Sequence, residues 1–449
     1  MTPLDRANFS VAPSCAKAPL VPAKARLGWG LAALLVATHG AAVGSQLADE
    51  LHLTVACVLI EGLIYAASAW MITTGRMTLG VAAILTTAAL LRISILPLAP
   101  YHSTDIYRYV WDGRVQAAGV NPYLYIPVDT ALSALRDTAI WPNINRADYA
   151  HTIYPPAAEA LFFLATRIGE TVGWMKTVLV LFEAGAIAVL LRLLDAEKLP
   201  RQRILLYAWC PLPIWEFAGN GHVDAAMMAC ILVAVLLRRR GADVAAGAAL
   251  GLAILVKLFP LVLLPAFWRR WEWRLPLAGA VTIALFYGFY SAAGWRVLGF
   301  LPSYLGEEGV SDAHGFWLVS VLARTTGVII PASIYFAAAA VVMIALGLKI
   351  QAGPPSPDRL LPNVLALAAA AMFLLSPVYP WYFCWLTPFL CFAPSAPVIW
   401  FVGCGFVLHW TLPREVTWTT DVFYGGAVVT AAIDFTRRRY AREPIAGFA

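Results

Sequence analysis

The feature that most constrains this chain is its series of apolar runs, many of them about 20 residues long. A helix rises about 1.5 Å per residue, so a run of that length is what the hydrocarbon core of a bilayer requires. Of the 449 residues, 61% are hydrophobic and only 13% are charged, which is outside the usual balance of a soluble domain. The sequence therefore predicts an all-α polytopic membrane protein.

The apolar runs predict about 14 transmembrane helices, an even number that returns the C-terminus to the side of the N-terminus. Their approximate bounds are 27–44, 51–74, 77–98, 174–194, 203–218, 222–238, 242–257, 259–269, 274–293, 329–350, 358–376, 379–393, 396–412 and 418–436. We expect residues 27–449 to form one membrane domain and residues 1–26 to form a disordered tail.

Cationic residues cluster on one predicted side of these spans. The clusters are 23–26, Arg76, 192–203, 238–240, 269–274, Lys349 with Arg359, and 437–439. Because loops rich in Lys and Arg stay in the cytoplasm, this threading places both termini in the cytoplasm of a protein of the cell membrane. The bias accounts for the net charge of +6, and we expect no nucleic-acid partner.

The same threading leaves two long loops outside, residues 99–173 and 294–328. Within them, the apolar segments 154–169 and 314–327 are roughly 15 residues each, short for a span. We expect both to be helices on the outer membrane surface. Long loops with their own helices are usually functional, so the outer face is where we expect the site.

Cysteine and isolated charges give weaker signals. The seven cysteines are scattered without a C-x-x-C pair, so we expect neither a disulfide framework nor a metal site, and no other cofactor. Glu61 and Arg92 are isolated charges inside predicted spans that can pair with each other, and we assign them no role.

The segment 101–125, YHSTDIYRYVWDGRVQAAGVNPYLY, is unusually polar and aromatic for this chain. Ser103 or Thr104 can cap a helix, and Asp105 follows in its first turn, where the helix dipole favours an acid. Asp105 is therefore either a first-turn acid with Arg108 as its partner or a functional carboxylate.

Helical spacing places Asp105, Arg108 and Asp112 on one face of this segment. A separate, interfacial face holds Tyr107, Trp111 and Arg114. The pattern predicts an amphipathic helix lying at the outer membrane boundary.

A second polar cluster, EFAGNGHVDAAMM, lies where one predicted span ends and the next begins. It contains Glu216, Asn220, His222 and Asp224. Either Asn220 or Asp224 caps the following helix, or the group faces a cavity, since a histidine and two acids are costly at membrane depth.

Lys257 is a lone cation in the apolar stretch GLAILVKLFPLVLLP. It either extends its ammonium towards the interface or binds an anion, for which a lipid phosphate is available. The segment SPVYPWYFCW contains Trp381 and Tyr382, which are either an interfacial aromatic belt or contacts for a ligand.

Taken together, DIYRYVWDGRVQAAGVNPY, YPP, GNGHVDA, LVKLFP and YPWY resemble the GT-C fold glycosyltransferases. The likeness is to bacterial polyprenol-phosphate-mannose-dependent mannosyltransferases and to glycosyltransferase family 87. It extends from about residue 100 to 393 and leaves residues 1–75 outside.

The resemblance implies a polyprenyl phosphate donor, membrane lipids as partners, and inverting transfer of a hexose, with mannose the expected sugar, to an acceptor hydroxyl at the outer face. Asp105 falls on the position of the family's expected base. Many relatives have two adjacent acids there, whereas here Ser103 and Thr104 precede a single one.

Phosphate is a good leaving group, so the chemistry requires a base and a stabilised phosphate but no catalytic acid. The candidates for binding the donor and its phosphate are Lys257, Arg114, His222, Asp224 and Arg108. The candidates for sugar or lipid contact are Tyr107, Trp381 and Tyr382. The alternative function is a transporter or flippase of a lipid-linked sugar. Two features argue against it: the sequence has no visible repeat, and its polar residues are concentrated at one face.

Overall fold

The computed structural model describes residues 22–307, 315–353, 356–411 and 418–440. Within these ranges the chain forms helices and no β-strand, which confirms the all-α prediction. The first α-helices are α1 (Ala23–Leu47), α2 (Leu51–Thr73), α3 (Val81–Ile95), α4 (Asp105–Ala117), α5 (Pro156–Thr166), α6 (Val172–Ala196), α7 (Leu205–Ala208), α8 (Pro211–Pro213), α9 (Asp224–Arg239) and α10 (Asp243–Val256). They are followed by α11 (Leu264–Phe267), α12 (Arg274–Phe289), α13 (Leu301–Glu307), α14 (Trp317–Thr326), α15 (Ala332–Ala352), α16 (Leu360–Leu375), α17 (Ala396–Cys404), α18 (Trp418–Thr420) and α19 (Gly426–Tyr440).

Shorter helical turns of other types connect these elements. The 3-10 helices are Thr130–Leu135, Trp141–Asn143, Arg201–Ile204, Phe259–Leu263, Ser291–Leu298, Pro357–Arg359, Pro380–Cys391 and Gly405–Trp410. The π-helical segments are Ile214–Gly219 and Asp421–Gly425.

Five helices in the described ranges are long and apolar enough to cross a membrane. They are α1, α2, α6, α15 and the helix Asp358–Leu375, which contains α16. The bent pair Arg274–Phe289 and Ser291–Tyr304 would add a sixth, with its two arms at 111°. These helices are compatible with a polytopic membrane protein, but they are fewer than the 14 predicted from the sequence.

Proline accounts for two of the missing spans, because it removes a backbone donor and clashes with the preceding turn. The predicted span 203–218 is divided among several short helices, with Pro211 and Pro213 at the break. The predicted span 379–393 is a 3-10 helix with Pro388 inside it. Hydropathy counts apolar residues and does not register these breaks, so it overcounts continuous spans.

Helix α4 is packed inside the molecule, contrary to the prediction of a helix lying along the outer membrane boundary. Trp111, predicted on the interfacial face, is 1% exposed. Gly113 allows α5 to approach, since a Cβ at this position would collide with the carbonyl oxygen of Phe162. The amphipathic pattern predicts the helix correctly, but the face expected to contact lipid headgroups is covered by other parts of the protein.

The two apolar segments expected on the outer surface form short helices. Helix α5 has 11 residues and α14 has 10, so neither is long enough to cross a bilayer. The prediction that these segments are not spans therefore agrees with their lengths.

The isolated charges inside the predicted spans have other partners, and the expected pairing of Glu61 with Arg92 is wrong. Arg92 binds Glu183 through two hydrogen bonds of 2.9 and 2.6 Å. Glu61 is 3.1 Å from Nδ1 of His39 and accepts a hydrogen bond of 3.0 Å from the Trp215 indole. Each buried charge is thus neutralised or hydrogen-bonded by a residue that is distant in sequence.

Some predicted features lie outside the described residues. They are residues 1–21 of the expected tail, 308–314 of the second expected outer loop and 412–417, at the junction of the last two predicted spans. Lys24 and Arg26, at the end of the expected tail, belong to α1, where the Lys24 ammonium donates to the carbonyl oxygen of Gly75 at 2.8 Å.

Candidate active site

A cavity of about 970 Å³ lies among five separate stretches of the chain. It is lined by residues from 101–108, 145–155, 257–259, 300–304 and 379–382. Hydropathy and charge place each stretch in a loop, or at the end of a span, on one predicted face, and the structure brings the five together. The volume is at the upper end of the range for small-molecule sites, about 300–1,000 Å³.

Asp105 begins helix α4 and lines this cavity. Its side chain is 24% exposed, and the side-chain amide of Asn145 donates to its Oδ1 at 2.8 Å. Arg108, considered above as its partner, instead donates from Nε to both oxygens of Asp112, at 2.8 and 2.9 Å. Asp105 is therefore a carboxylate held by a neutral donor at an accessible wall, which suits a group that accepts a proton.

Behind Asp105 lies a chain of alternating imidazole and carboxylate groups. Nδ1 of His222 is 3.9 Å from Oδ2 of Asp105, and Nε2 of the same ring is 3.3 Å from Oε2 of Glu216. Oε1 of Glu216 is 3.1 Å from Nε2 of His409. His222 and Glu216 are both 0% exposed. A carboxylate beside a buried imidazole orients the ring.

Asn220 connects this chain to the segment that precedes α4. Its side-chain oxygen accepts hydrogen bonds from the backbone amides of Tyr101 and His102, at 3.2 and 3.1 Å. Its amide donates to Glu216 at 2.9 Å. Gly221 makes the turn that follows, with a φ of +77°, a conformation that costs glycine little. Asn220 thus fixes the geometry of the site and does not cap α9.

His102 is a neutral neighbour of the same group. Its ring centroid is 4.4 Å from that of His409. Burial lowers the pKa of His102 to about 3, with the nearby His409 lowering it further and Glu216 opposing the shift. At neutral pH, His102 therefore adds no positive charge to the cavity.

Lys257 and Asp224 are direct partners. The Lys257 ammonium is 2.6 Å from Oδ2 of Asp224 and 4.7 Å from the centroid of the Tyr382 ring. Asp224 is the first residue of α9, where no side chain caps the helix, and it is 0% exposed. The burial of Lys257 is thus explained by a protein carboxylate and does not itself require a lipid phosphate. Its side chain is 13% exposed and still reaches the cavity wall.

The lining holds both cations and acids, and each of its cations is paired with a carboxylate outside the lining. The cations are Arg108, Arg146 and Lys257, and the acids are Asp105 and Asp148. Arg108 is 5% exposed, so its guanidinium acts in a setting that screens charge less than water does. A phosphate group in this cavity would meet charge-assisted donors on its wall.

Aromatic rings form another wall of the cavity. Trp381 lies between His222 and Tyr379, with ring centroids 4.2 and 4.6 Å away and interplanar angles of 18° and 20°. The hydroxyl of Tyr382 is 2.9 Å from that of Tyr304. Apolar and aromatic walls with a few placed polar groups are the usual lining of small-molecule sites.

Most of the residues predicted from the sequence converge here. The cavity is lined by Asp105, Arg108, Lys257, Trp381 and Tyr382. His222 and Asp224 lie directly behind it, in contact with these lining residues.

Arg114 and Tyr107 do not belong to the cavity lining. Arg114 binds Asp137 and Glu170, each at 2.8 Å. Burial raises the pKa of Asp137, but hydrogen bonds from Arg114 and two backbone amides outweigh it and lower the pKa to about 2. Tyr107 packs against the hydrophobic core. Both side chains leave α4 on faces other than that of Asp105.

Several site residues were not predicted from the sequence. Asn145 and Arg146 lie in the first of the two loops predicted to be outside, and their position there is the one signal they carry. Tyr379 belongs to the aromatic segment but is not distinguished from its neighbours by spacing. His409 stands alone in an apolar run, GFVLHW, which is a usable signal because a polar side chain at membrane depth needs a partner.

Comparison with known proteins identifies a family. A sequence model of the MptA_B family, with the description alpha-(1->6)-mannopyranosyltransferase, N-terminal domain, matches residues 22–272. This range covers more than half of the chain and includes Asp105, His222, Asp224 and Lys257. It begins well before residue 100, where the motifs predicted the likeness to start, and ends before the stretches 300–304 and 379–382 of the cavity. No curated protein and no solved structure matches the chain.

Proposed function

Because the chain belongs to the MptA_B family of alpha-(1->6)-mannopyranosyltransferases, we propose that it transfers a mannosyl residue from a polyprenyl phosphate to an acceptor hydroxyl at the cavity around Asp105. The family supports an enzyme of mannosyl transfer over a transporter of lipid-linked sugar. The proposed site is supported by the presence of a carboxylate, cations and aromatic rings in one cavity of about 970 Å³. The lipid donor and the outer membrane face are parts of the proposal.

In the proposed step, Asp105 removes the proton of the acceptor hydroxyl while the hydroxyl oxygen attacks the anomeric carbon of the donor. The new carbon–oxygen bond forms as the bond from the anomeric carbon to the phosphate oxygen breaks. The electron pair of that bond leaves with the polyprenyl phosphate, and the proton ends on Asp105. A positioned general base contributes about 10²–10⁴-fold to such a step.

The surroundings of Asp105 support this role. The side-chain amide of Asn145 donates a hydrogen bond to Oδ1 of Asp105, and Oδ2 is 3.9 Å from Nδ1 of His222. This distance is long for a proton transfer, but catalytic contacts often tighten when substrate binds. Glu216, 3.3 Å behind the ring, stabilises a positive imidazole. His222 can therefore receive the proton from Asp105 and regenerate the base.

Lys257 and Arg108 are the proposed ligands of the departing phosphate. Each lines the cavity, and each is held from behind by a protein carboxylate, Asp224 at 2.6 Å and Asp112 at 2.8 Å. Cations fixed before the reaction stabilise developing charge without having to reorganise. The polyprenyl chain remains among apolar surroundings while its headgroup enters the cavity.

The stereochemistry of the reaction gives a direct test. A single displacement inverts the anomeric centre, so an alpha-linked product requires a beta-linked donor. The purified full chain is placed in lipid vesicles with radiolabelled polyprenyl phosphate mannose, with the alpha and the beta donor in separate arms. We expect label to join a mannoside acceptor in alpha linkage from the beta donor alone. Polyprenyl phosphate glucose is the matched control for the sugar.

Two outcomes would overturn the proposal. Label that crosses the bilayer without joining an acceptor would refute mannosyl transfer. Label transferred from a nucleotide-linked mannose, with none from the lipid donor, would refute the polyprenyl phosphate donor.

A further inference from the structure

A second cavity, of about 310 Å³, lies among segments that the charge pattern assigns to the opposite, cytoplasmic face. It is lined by the C-terminal end of α9, the turn 265–270 and residues between 350 and 363. Five arginines contribute to its wall, Arg238, Arg239, Arg269, Arg270 and Arg359. The described residues contribute no carboxylate to this lining.

Carboxylates outside the lining neutralise part of this charge. Arg238 is 3% exposed, forms an ion pair with Asp243 and donates from Nε to the carbonyl oxygen of Phe267 at 2.9 Å. Arg239 forms an ion pair with Glu197. These two carboxylates face five guanidinium groups, so the cavity remains cationic.

Unused hydrogen-bond donors point to a ligand with several acceptor atoms. Nη2 of Arg238 and Nε1 of Trp268 are buried and have no hydrogen-bond partner among the described residues. Both residues line the cavity. A buried donor left unpaired is costly, and a phosphate group presents several strong acceptor oxygens to arginine.

The neighbouring surface has the composition expected at the edge of a bilayer. Trp271 and Trp273, in the segment RRWEWR, are 75% and 57% exposed. Exposed tryptophan beside arginine is typical of the boundary between membrane and water. Helix α12, which follows, presents apolar side chains outward, including Leu277 at 63% exposure.

From these observations we propose that the cavity binds a phosphate group, presented by the headgroup of an anionic phospholipid of the cytoplasmic leaflet. Basic pockets between transmembrane helices on that side suit such headgroups. The site is separate from the mannosyl-transfer cavity and does not depend on the function proposed for it.

The test is thermal unfolding of the purified full chain in neutral detergent, with phosphatidylglycerol, phosphatidylcholine and inorganic phosphate as separate titrants. The variant Arg269→Gln with Arg359→Gln removes two wall cations and leaves the partners of Arg238 intact. We expect phosphatidylglycerol to raise the Tm of the wild type and to bind roughly 25-fold more weakly to the variant, at about fivefold for each cation. Arg76→Gln is the matched control, an exposed arginine beside Trp70 on the same predicted face, and it should respond as the wild type does.

Each other outcome is decisive. Stabilisation by inorganic phosphate equal to that by phosphatidylglycerol would keep the phosphate site and overturn the lipid as its source. Equal responses to both phospholipids, or undiminished phosphatidylglycerol affinity in the double variant, would overturn the proposal. If the glutamine variant does not fold, Arg269→Lys with Arg359→Lys keeps the charge, and loss of lipid binding there would contradict the electrostatic argument.

Discussion

Replacing Lys257 by methionine separates its two roles, partner of Asp224 and ligand of phosphate. The ammonium is 2.6 Å from a carboxylate that is 0% exposed, so Lys257→Met leaves a buried negative charge without its cation. Breaking a buried ion pair from one side costs about 3–5 kcal/mol. Protonating an ordinary aspartate at pH 7 costs about 4 kcal/mol, which caps the penalty. We expect the free energy of unfolding to fall by about 4 kcal/mol.

The double variant Lys257→Met with Asp224→Asn is the matched control. It removes both charges and should recover most of the lost stability, as measured by chemical unfolding in detergent. Its donor affinity should stay about 10- to 150-fold weaker, because one charge-assisted hydrogen bond to phosphate is worth about 1.5–3 kcal/mol. Wild-type donor affinity in the double variant would refute the phosphate role. Wild-type stability of the single variant would refute the ion pair.

The remaining predictions concern the groups behind the cavity. Glu216→Gln keeps the shape of the side chain but removes the charge behind His222. We expect kcat to fall roughly 10- to 100-fold, with the donor KM unchanged. A change in KM alone would contradict a positioning role for Glu216. His102, with a pKa lowered to about 3, binds its proton in the unfolded chain near pH 6.5, so stability is lost as the pH falls from about 6.5 towards 3. His102→Gln should reduce the slope of the unfolding free energy against pH by about 1.4 kcal/mol per pH unit. If the wild type and the variant lost the same stability between pH 7 and pH 5 in thermal unfolding, the assignment would be contradicted.

The residues best predicted from the sequence are polar side chains in apolar surroundings. His222, Asp224 and Lys257 were identifiable because a charge or an imidazole at such a position is expensive without a partner. Asp105 was identifiable from its place in the first turn of a polar helix and from the family resemblance. The partners themselves were not identifiable. His409 meets Glu216 across 193 positions of sequence, and no local periodicity indicates a contact of that separation.

Arg114 is a residue that the sequence placed in the site and the structure does not. A cation on a polar helix in a loop predicted to be outside suits phosphate binding, but Asp137 and Glu170 from the same loop already bind it. Helical spacing indicates which side chains share a face, and it does not indicate what that face packs against. The same limit explains why α4 was expected at the membrane boundary and is found in the interior.

The central claim is tested most directly by the rate of a single turnover in Asp105→Asn. Asparagine keeps the oxygen that accepts from Asn145 but cannot take a proton from the acceptor. Asp148→Asn is the matched control, since Asp148 is an exposed acid in the lining of the same cavity. We expect the first variant to bind donor normally and to react about 10²–10⁴-fold more slowly, with the control near the wild-type rate. Normal turnover by Asp105→Asn would contradict its role as the base.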